Sequence, residues 1–121
     1  MSKFLIRAVP SGIKFDLHAI NGEVIATSEV YTTRAACLRG IESLRRCAAA
    51  QKILDTTQMP RKVPTNPRFE IFQDKRGAFR FRLRARNGEI VARSEPYSSK
   101  TACLEGIQSV IDNSSSAEIE E

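Results

Sequence analysis

A chain of 121 residues with 41% hydrophobic and 27% charged side chains has the make-up of one globular protein and excludes a wholly disordered one. Its 19 basic and 14 acidic residues leave a net charge of +5, which permits attraction to phosphates or acidic partners without demanding it. The odd number of cysteines, Cys37, Cys47 and Cys103, suits reduced thiols, and a single histidine, His18, with no CxxC pair argues against a metal site.

Taken in chain order, Phe4-Leu5-Ile6 opens a first strand, but Arg7 and Pro10 interrupt any signal-peptide core, and no apolar run reaches the roughly 18 residues of a membrane span. This reading places the chain in the cytoplasm, away from membranes. Pro10-Ser11-Gly12 turns the chain into a second strand, and Asn21-Gly22 predicts a two-residue type I′ hairpin into a third. Thr32 is the expected cap of a helix whose buried face carries Cys37, Gly40, Ile41 and Leu44. A short strand around Ile53 closes the unit. Thr56 to Pro67, with Pro60, Pro64 and Pro67, reads as a connector.

The same series then recurs. Phe69-Glu70-Ile71, the turn Asp74-Lys75-Arg76-Gly77, the alternating FRFRLRAR, Asn87-Gly88, a cap at Ser98, the helical stripe Cys103, Gly106, Ile107 and Val110, and Ile119 repeat the order of the first half. With Phe15 laid on Phe81 and Ser43 on Ser109, about 16 of 29 positions are identical. A glycine inside a helix costs about 1 kcal/mol relative to alanine. Its recurrence predicts close packing of the helix on the small inward residues of the third strands, Ala26 and Ser28 or Ala92 and Ser94. One unit alone would bury too little surface, so residues 1–121 are expected to form a single pseudo-twofold domain: repeat one 1–55, linker 56–67, repeat two 68–121.

The segments NGEVIATSEVYTTRAACLRGIES and NGEIVARSEPYSSKTACLEGIQS closely resemble the YegP-like family of small bacterial proteins, and the resemblance covers both units. It implies an α+β fold of two tandem β(3)-α-β repeats. They would share one largely antiparallel sheet, with both helices packed on one face and the last strand of each repeat swapped into the other half. The second unit keeps the family's opening RFEIFQDKRGAFRFRL, from which the first departs at Ile13-Lys14-Phe15-Asp16. The resemblance implies no activity, cofactor or site.

The alternation of FRFRLRAR turns Phe79, Phe81, Leu83 and Ala85 inward and Arg80, Arg82, Arg84 and Arg86 outward. A two-residue hairpin would set Arg86 opposite Glu89, Arg84 opposite Val91, Arg82 opposite Arg93 and Arg80 opposite Glu95, with Glu70 beside Arg82. The plainer reading is a salt-bridged sheet face. The sharper one is a phosphate-tracking surface of Arg82, Arg84 and Arg93 with Phe72 as a stacking platform. The first unit carries Lys14, Asp16, His18 and Ile20 at the stripe positions, so no symmetric nucleic-acid face is encoded.

Ser28-Glu29 and Ser94-Glu95, each followed by a tyrosine, lack the histidine base of a serine nucleophile, so they read as strand ends that set up the helix cap. Cys37 and Cys103 lie on apolar helix stripes and read as core thiols, and His18 reads as an outward-facing surface side chain. The expectation is therefore a monomeric, non-enzymatic binding module without a cofactor. Its partner is unidentified, with an acidic protein or nucleic acid as the alternatives, followed by a purely structural or protein-interaction role.

Overall fold

The computed structural model describes residues 1–59 and 62–121; the connector proline Pro60 lies outside the described residues. The elements are β1 (Lys3–Val9), β2 (Gly12–His18), β3 (Val24–Ser28), α1 (Arg34–Ala49) and β4 (Ile53–Asp55) in the first half. The second half contributes β5 (Arg68–Gln73), β6 (Phe79–Arg84), β7 (Ile90–Arg93), α2 (Lys100–Ser114) and β8 (Glu118–Glu120). All eight strands form one mixed sheet in the order β4-β5-β6-β7-β3-β2-β1-β8.

Each repeat is an antiparallel meander of three strands, and the two meanders join edge to edge where β3 meets β7. There Thr27 pairs with Arg93, its own counterpart in the other repeat, so the pseudo-twofold axis passes through that pair. The short last strands cross over. The β4 strand of the first repeat runs parallel to β5 of the second with Ile53 beside Phe69, and β8 of the second runs parallel to β1 of the first with Ile119 beside Phe4. Two equivalent ion pairs fasten the exchange: Lys100 holds Asp55 at 2.8 Å, and Arg34 holds Glu121.

Both helices lie on the same face, over the inward side chains that the period of two supplies. Phe4 meets Phe15 edge to face at 5.7 Å between ring centroids, and Phe69 meets Phe81 likewise at 5.9 Å. Cys37, Gly40, Ile41 and Leu44 of α1 and Cys103, Gly106, Ile107 and Val110 of α2 are all buried against them. Arg45 of α1 ties the halves together in a way the pattern did not announce. Its guanidinium donates to the carbonyls of Ser114 and Ala117 at 3.1 and 2.7 Å and lies over the Phe4 ring.

Several local expectations need correction. The caps are Thr33 and Ser99, one residue beyond Thr32 and Ser98; each side chain accepts from the backbone N–H three residues on at 3.1 Å. The backbone bridges Ile13–Tyr31 and Phe79–Tyr97 keep the chain extended past each tyrosine and delay the helix. The Asn-Gly hairpins are three-residue loops, not type I′ turns. Within these two loops only Gly22 and Gly88 have positive φ, while Asn21 and Asn87 accept the N–H of Glu23 and Glu89 with their side-chain oxygens at 3.0 Å. The helix glycines also answer a different need. Ala26, Ser28, Ala92 and Ser94 are buried as expected. The group that requires Gly40 and Gly106, however, is the tyrosine hydroxyl: a Cβ at either glycine would lie 2.2 Å from the Oη of Tyr31 or Tyr97. Those rings stack on Phe15 and Phe81 with interplanar angles of 12° and 17°, which leaves them little freedom to withdraw.

Two outcomes follow from this packing. Gly106→Ala gains helix propensity of about 1 kcal/mol, yet overpacking against Tyr97 should outweigh it and lower stability by about 1–3 kcal/mol in denaturant melts. A raised midpoint would show that the tyrosine yields. Separate expression of Met1 to Gln58 and Arg68 to Glu121 removes from each meander the edge strand donated by the other. Each piece should show little hydrogen-exchange protection as a monomer and gain protection on dimerising; a protected monomer of either would contradict the shared core.

Candidate functional site

The outer face of the sheet, opposite the helices, carries the arginine stripe, and Glu70 on β5 organises it. The β5–β6 register sets Glu70 beside Arg82, as the alternation requires. The Nε atoms of Arg82 and Arg84 both donate to Glu70 Oε1 at 2.7 Å, while Arg68 reaches Oε2 through Nε and Nη2 at 3.0 and 2.8 Å. Under this canopy Glu70 is only 3% exposed. Burial alone would raise its pKa, but the guanidiniums of Arg82, Arg84 and Arg68 outweigh burial and bring it down to about 2.

The other proposed members of the surface are also engaged. The Arg82 guanidinium covers the Phe72 ring at 4.5 Å from its centroid, so the face of that ring is occupied by the protein's own cation. Arg93 opposes Arg82 across the hairpin, as expected, and pairs with Glu29 of the other repeat. Arg84 lies opposite Ile90 rather than Val91, because the three-residue loop shifts the register between Leu83 and Arg84; its Nη1 donates to Gly88 O at 2.8 Å. Arg80 pairs with Asp74 at 2.9 Å rather than with Glu95. Arg86 belongs to the turn and leaves the stripe altogether. In the first repeat the corresponding face is built differently: buried Asp16 accepts from Arg7 Nε and from Thr27 Oγ1, each at 2.6 Å.

The remaining candidates are absorbed by the fold. Ser28 and Ser94 do not set up the caps; their hydroxyls accept the N–H of Phe15 and Phe81 at 2.9 Å and donate to the carbonyls of Glu29 and Glu95. Each patches a ladder position where its hairpin departs from regular pairing. All three cysteines are free and buried, and burial raises the thiol pKa of each, that of Cys103 to about 11, opposite to the shift that makes a reactive thiolate. His18 is half-buried rather than a free surface side chain, with Nδ1 at 3.3 Å from Gly22 O and Nε2 enclosed without a partner. Among the described residues, no three His, Cys, Asp or Glu side chains gather where they could hold a metal. Among the described residues, no helix is long and apolar enough to cross a membrane.

A depressed carboxylate pKa stabilises the fold above its unfolded value and loses that contribution on acidification. The Glu70 network should therefore weaken as pH falls from about 4.5 to about 2. Glu70→Gln should remove this segment of the pH–stability curve and cost about 3 kcal/mol at neutral pH, because three guanidiniums lose their shared acceptor. Parallel curves for the two proteins across that window would contradict the network.

This architecture and its residues match known proteins. A family model described as Domain of unknown function (DUF1508) fits residues 12–55 and 74–121. A UPF0339 protein of Photorhabdus laumondii is 40% identical over 105 residues, spanning 87% of this chain and 79% of the relative. A UPF0339 protein of Methanosarcina acetivorans is 52% identical over 52 residues, which is 43% of this chain but 90% of that relative, so about one repeat makes up that whole protein. The solution NMR structure of the E. coli protein of unknown function yegP superposes with a TM-score of 0.81 at 28% identity, covering 98% of this chain and 90% of that one. With the family model matching most of its length and the shared sheet reproduced in a solved relative, the chain belongs to the YegP-like UPF0339 family.

Proposed function

We propose that this protein works by binding rather than by catalysis, as a cytoplasmic monomer with internal pseudo-twofold symmetry, and that its arginine-rich sheet face serves the fold instead of contacting a partner. The observation that carries the second part is the coordination of Glu70. Arg82 and Arg84 each spend Nε, and Arg68 spends Nε and Nη2, on one buried carboxylate, and Arg82 also covers Phe72. A phosphate docking there would compete with an internal acceptor already in place, and a base would have to displace a guanidinium to stack. The first part is supported by the serines and cysteines, whose hydroxyls and thiols are committed to ladder repair and core packing.

The alternative, a nucleic-acid surface at Arg82, Arg84, Arg93 and Phe72, keeps one argument: three guanidiniums share one carboxylate, which leaves a positive surplus. Arg82→Ala and Arg84→Ala separate the readings. As scaffolding, each should lower stability while changing oligonucleotide binding no more than Arg80→Ala, whose partner is Asp74. As phosphate contacts to a single strand, each should reduce the salt slope of binding by about 0.7. Submicromolar binding at physiological salt, abolished by Arg84→Ala in a folded protein, would assign the function to the stripe.

A further inference from the structure

The cations that the fold does not use lie elsewhere. Ion pairs occupy Arg7, Arg34, Arg45, Arg68, Arg80, Arg82, Arg84, Arg93, Lys3 and Lys100. Among the described residues, eight other cations stand in no ion pair: Lys14, Lys62, Lys75 and Arg76 are spread over β2, the connector and the β5–β6 turn, whereas Arg39, Arg46, Lys52 and Arg86 line two adjoining hollows that form one groove between α1 and the turn joining β6 to β7. Its larger hollow, about 670 Å³, is bordered by Arg46, Lys52 and Arg86 with Ser43, Thr65 and Asn87 between them. A second hollow of about 450 Å³ shares Ser43, Arg46 and Asn87 with it and continues along α1 to Arg39, with Glu89 its one acid. Lys52 Nζ donates to Thr65 Oγ1 at 2.9 Å, which holds the connector against the groove.

Pseudo-symmetry supplies an internal control. The positions equivalent to Arg39, Arg46, Lys52 and Arg86 are Glu105, Asp112, Glu118 and Ile20, so the same place in the other half has the opposite or no charge. The shared backbone architecture accommodates both sets and so does not require these cations. Half of the described cations without an ion pair thus collect along this one groove.

Resting on the reading of this protein as a binding module, we infer that this groove takes the phosphate backbone of a single-stranded nucleic acid. Arg39 and Arg46 are two helical turns apart, about 10 Å, and Lys52 and Arg86 extend the row, which calls for a ligand with several spaced negative charges rather than one anion. The hydroxyl and amide side chains between the cations are those that contact phosphate and sugar oxygens. The larger hollow offers a peptide only Cys47, Pro67 and Ala85 as apolar anchors. Tyr31, the one aromatic in the lining, is stacked on Phe15 with its hydroxyl against Gly40, so it offers no stacking platform and recognition is independent of base sequence.

The test is fluorescence anisotropy of labelled oligothymidylate and oligouridylate across a salt series, with the intact protein and two double variants. Arg46→Ala/Arg86→Ala alters groove cations held in no ion pair, and Arg82→Ala/Arg84→Ala alters the stripe; thermal melts check folding, and single substitutions replace any double variant that melts early. The parent should bind both polymers with a salt slope of about −2 to −3, and the groove variant should lose about tenfold or more and flatten that slope by about 1.4, or 0.7 per contact. The stripe variant should retain binding. A stripe variant that loses binding while the groove variant keeps it would overturn both the inference and the scaffolding reading. Binding of poly-glutamate but not of oligonucleotide, lost in the groove variant, would overturn the nucleic-acid assignment while sparing the binding module. Salt-sensitive self-association through the groove, seen by ultracentrifugation without nucleic acid, would assign it to a second copy and overturn the inference. Absence of binding to any polyanion at low salt would do so as well.

Discussion

Each repeat lacks the strand that finishes its own half of the sheet, and the rest of the structure follows from the exchange that supplies it. The chain leaves α1, lays Ile53–Asp55 parallel to the first strand of the second repeat, and only then begins that repeat; β8 returns the arrangement to β1. A parallel edge strand cannot be reached by a tight hairpin from its neighbour, and between β4 and β5 the chain runs instead through the connector 56–67. Because the strand that follows each helix ends on the opposite half, the two helices are carried over one continuous sheet. Phe4 and Phe69, beside the donated strands, sit on the same inner face as the aromatic stacks of Phe15 with Tyr31 and Phe81 with Tyr97. Lys100–Asp55 and Arg34–Glu121 then pin each donated strand to the start of the helix in the receiving half.

The two faces of the sheet solve different problems. On the inner face a tyrosine hydroxyl comes so close to a helix that only glycine can stand there, at Gly40 and at Gly106 alike. The repetition of that contact explains why the sequence keeps a poor helix former at the same point twice. On the outer face the halves have diverged. One half buries Glu70 beneath three arginines, and the other buries Asp16 between Arg7 and Thr27. A row of like charges on adjacent strands would repel, and a single desolvated carboxylate beneath it turns the repulsion into a network. The arginines that looked most available in the sequence are thus among the most constrained, while Arg39 and Arg46 on α1 and Arg86 on the hairpin turn, unremarkable in the sequence, stand in no ion pair.

Divergence of this kind needs a duplicated scaffold. The groove of one half is lined by Arg46, Lys52 and Arg86, and the equivalent positions of the other half carry Asp112, Glu118 and Ile20. Since the same architecture tolerates either set, their chemistry is free to serve contacts outside the fold.

The sequence by itself determined the repeat, the strand–strand–strand–helix–strand order, the inward residues of β6 and of the third strands, and the buried stripes of both helices. These rest on local periodicity and on the near-identity of the halves. It also placed Glu70 beside Arg82 and Arg82 opposite Arg93, because strand register is fixed once one face must be buried. It misjudged the hairpin loops by one residue, since Asn-Gly suits both a two-residue turn and a three-residue loop, and the choice depends on whether asparagine caps the next N–H. That single residue removed Arg86 from the stripe and shifted Arg84 from Val91 to Ile90. Only the tertiary structure decided which acid each arginine meets, that Phe72 is covered, why the helix glycines are needed and where the unpaired cations gather. Those outcomes join residues far apart in the chain, Arg93 with Glu29 and Arg46 with Arg86, and no local pattern records a distance that exists only after the two halves have closed on each other.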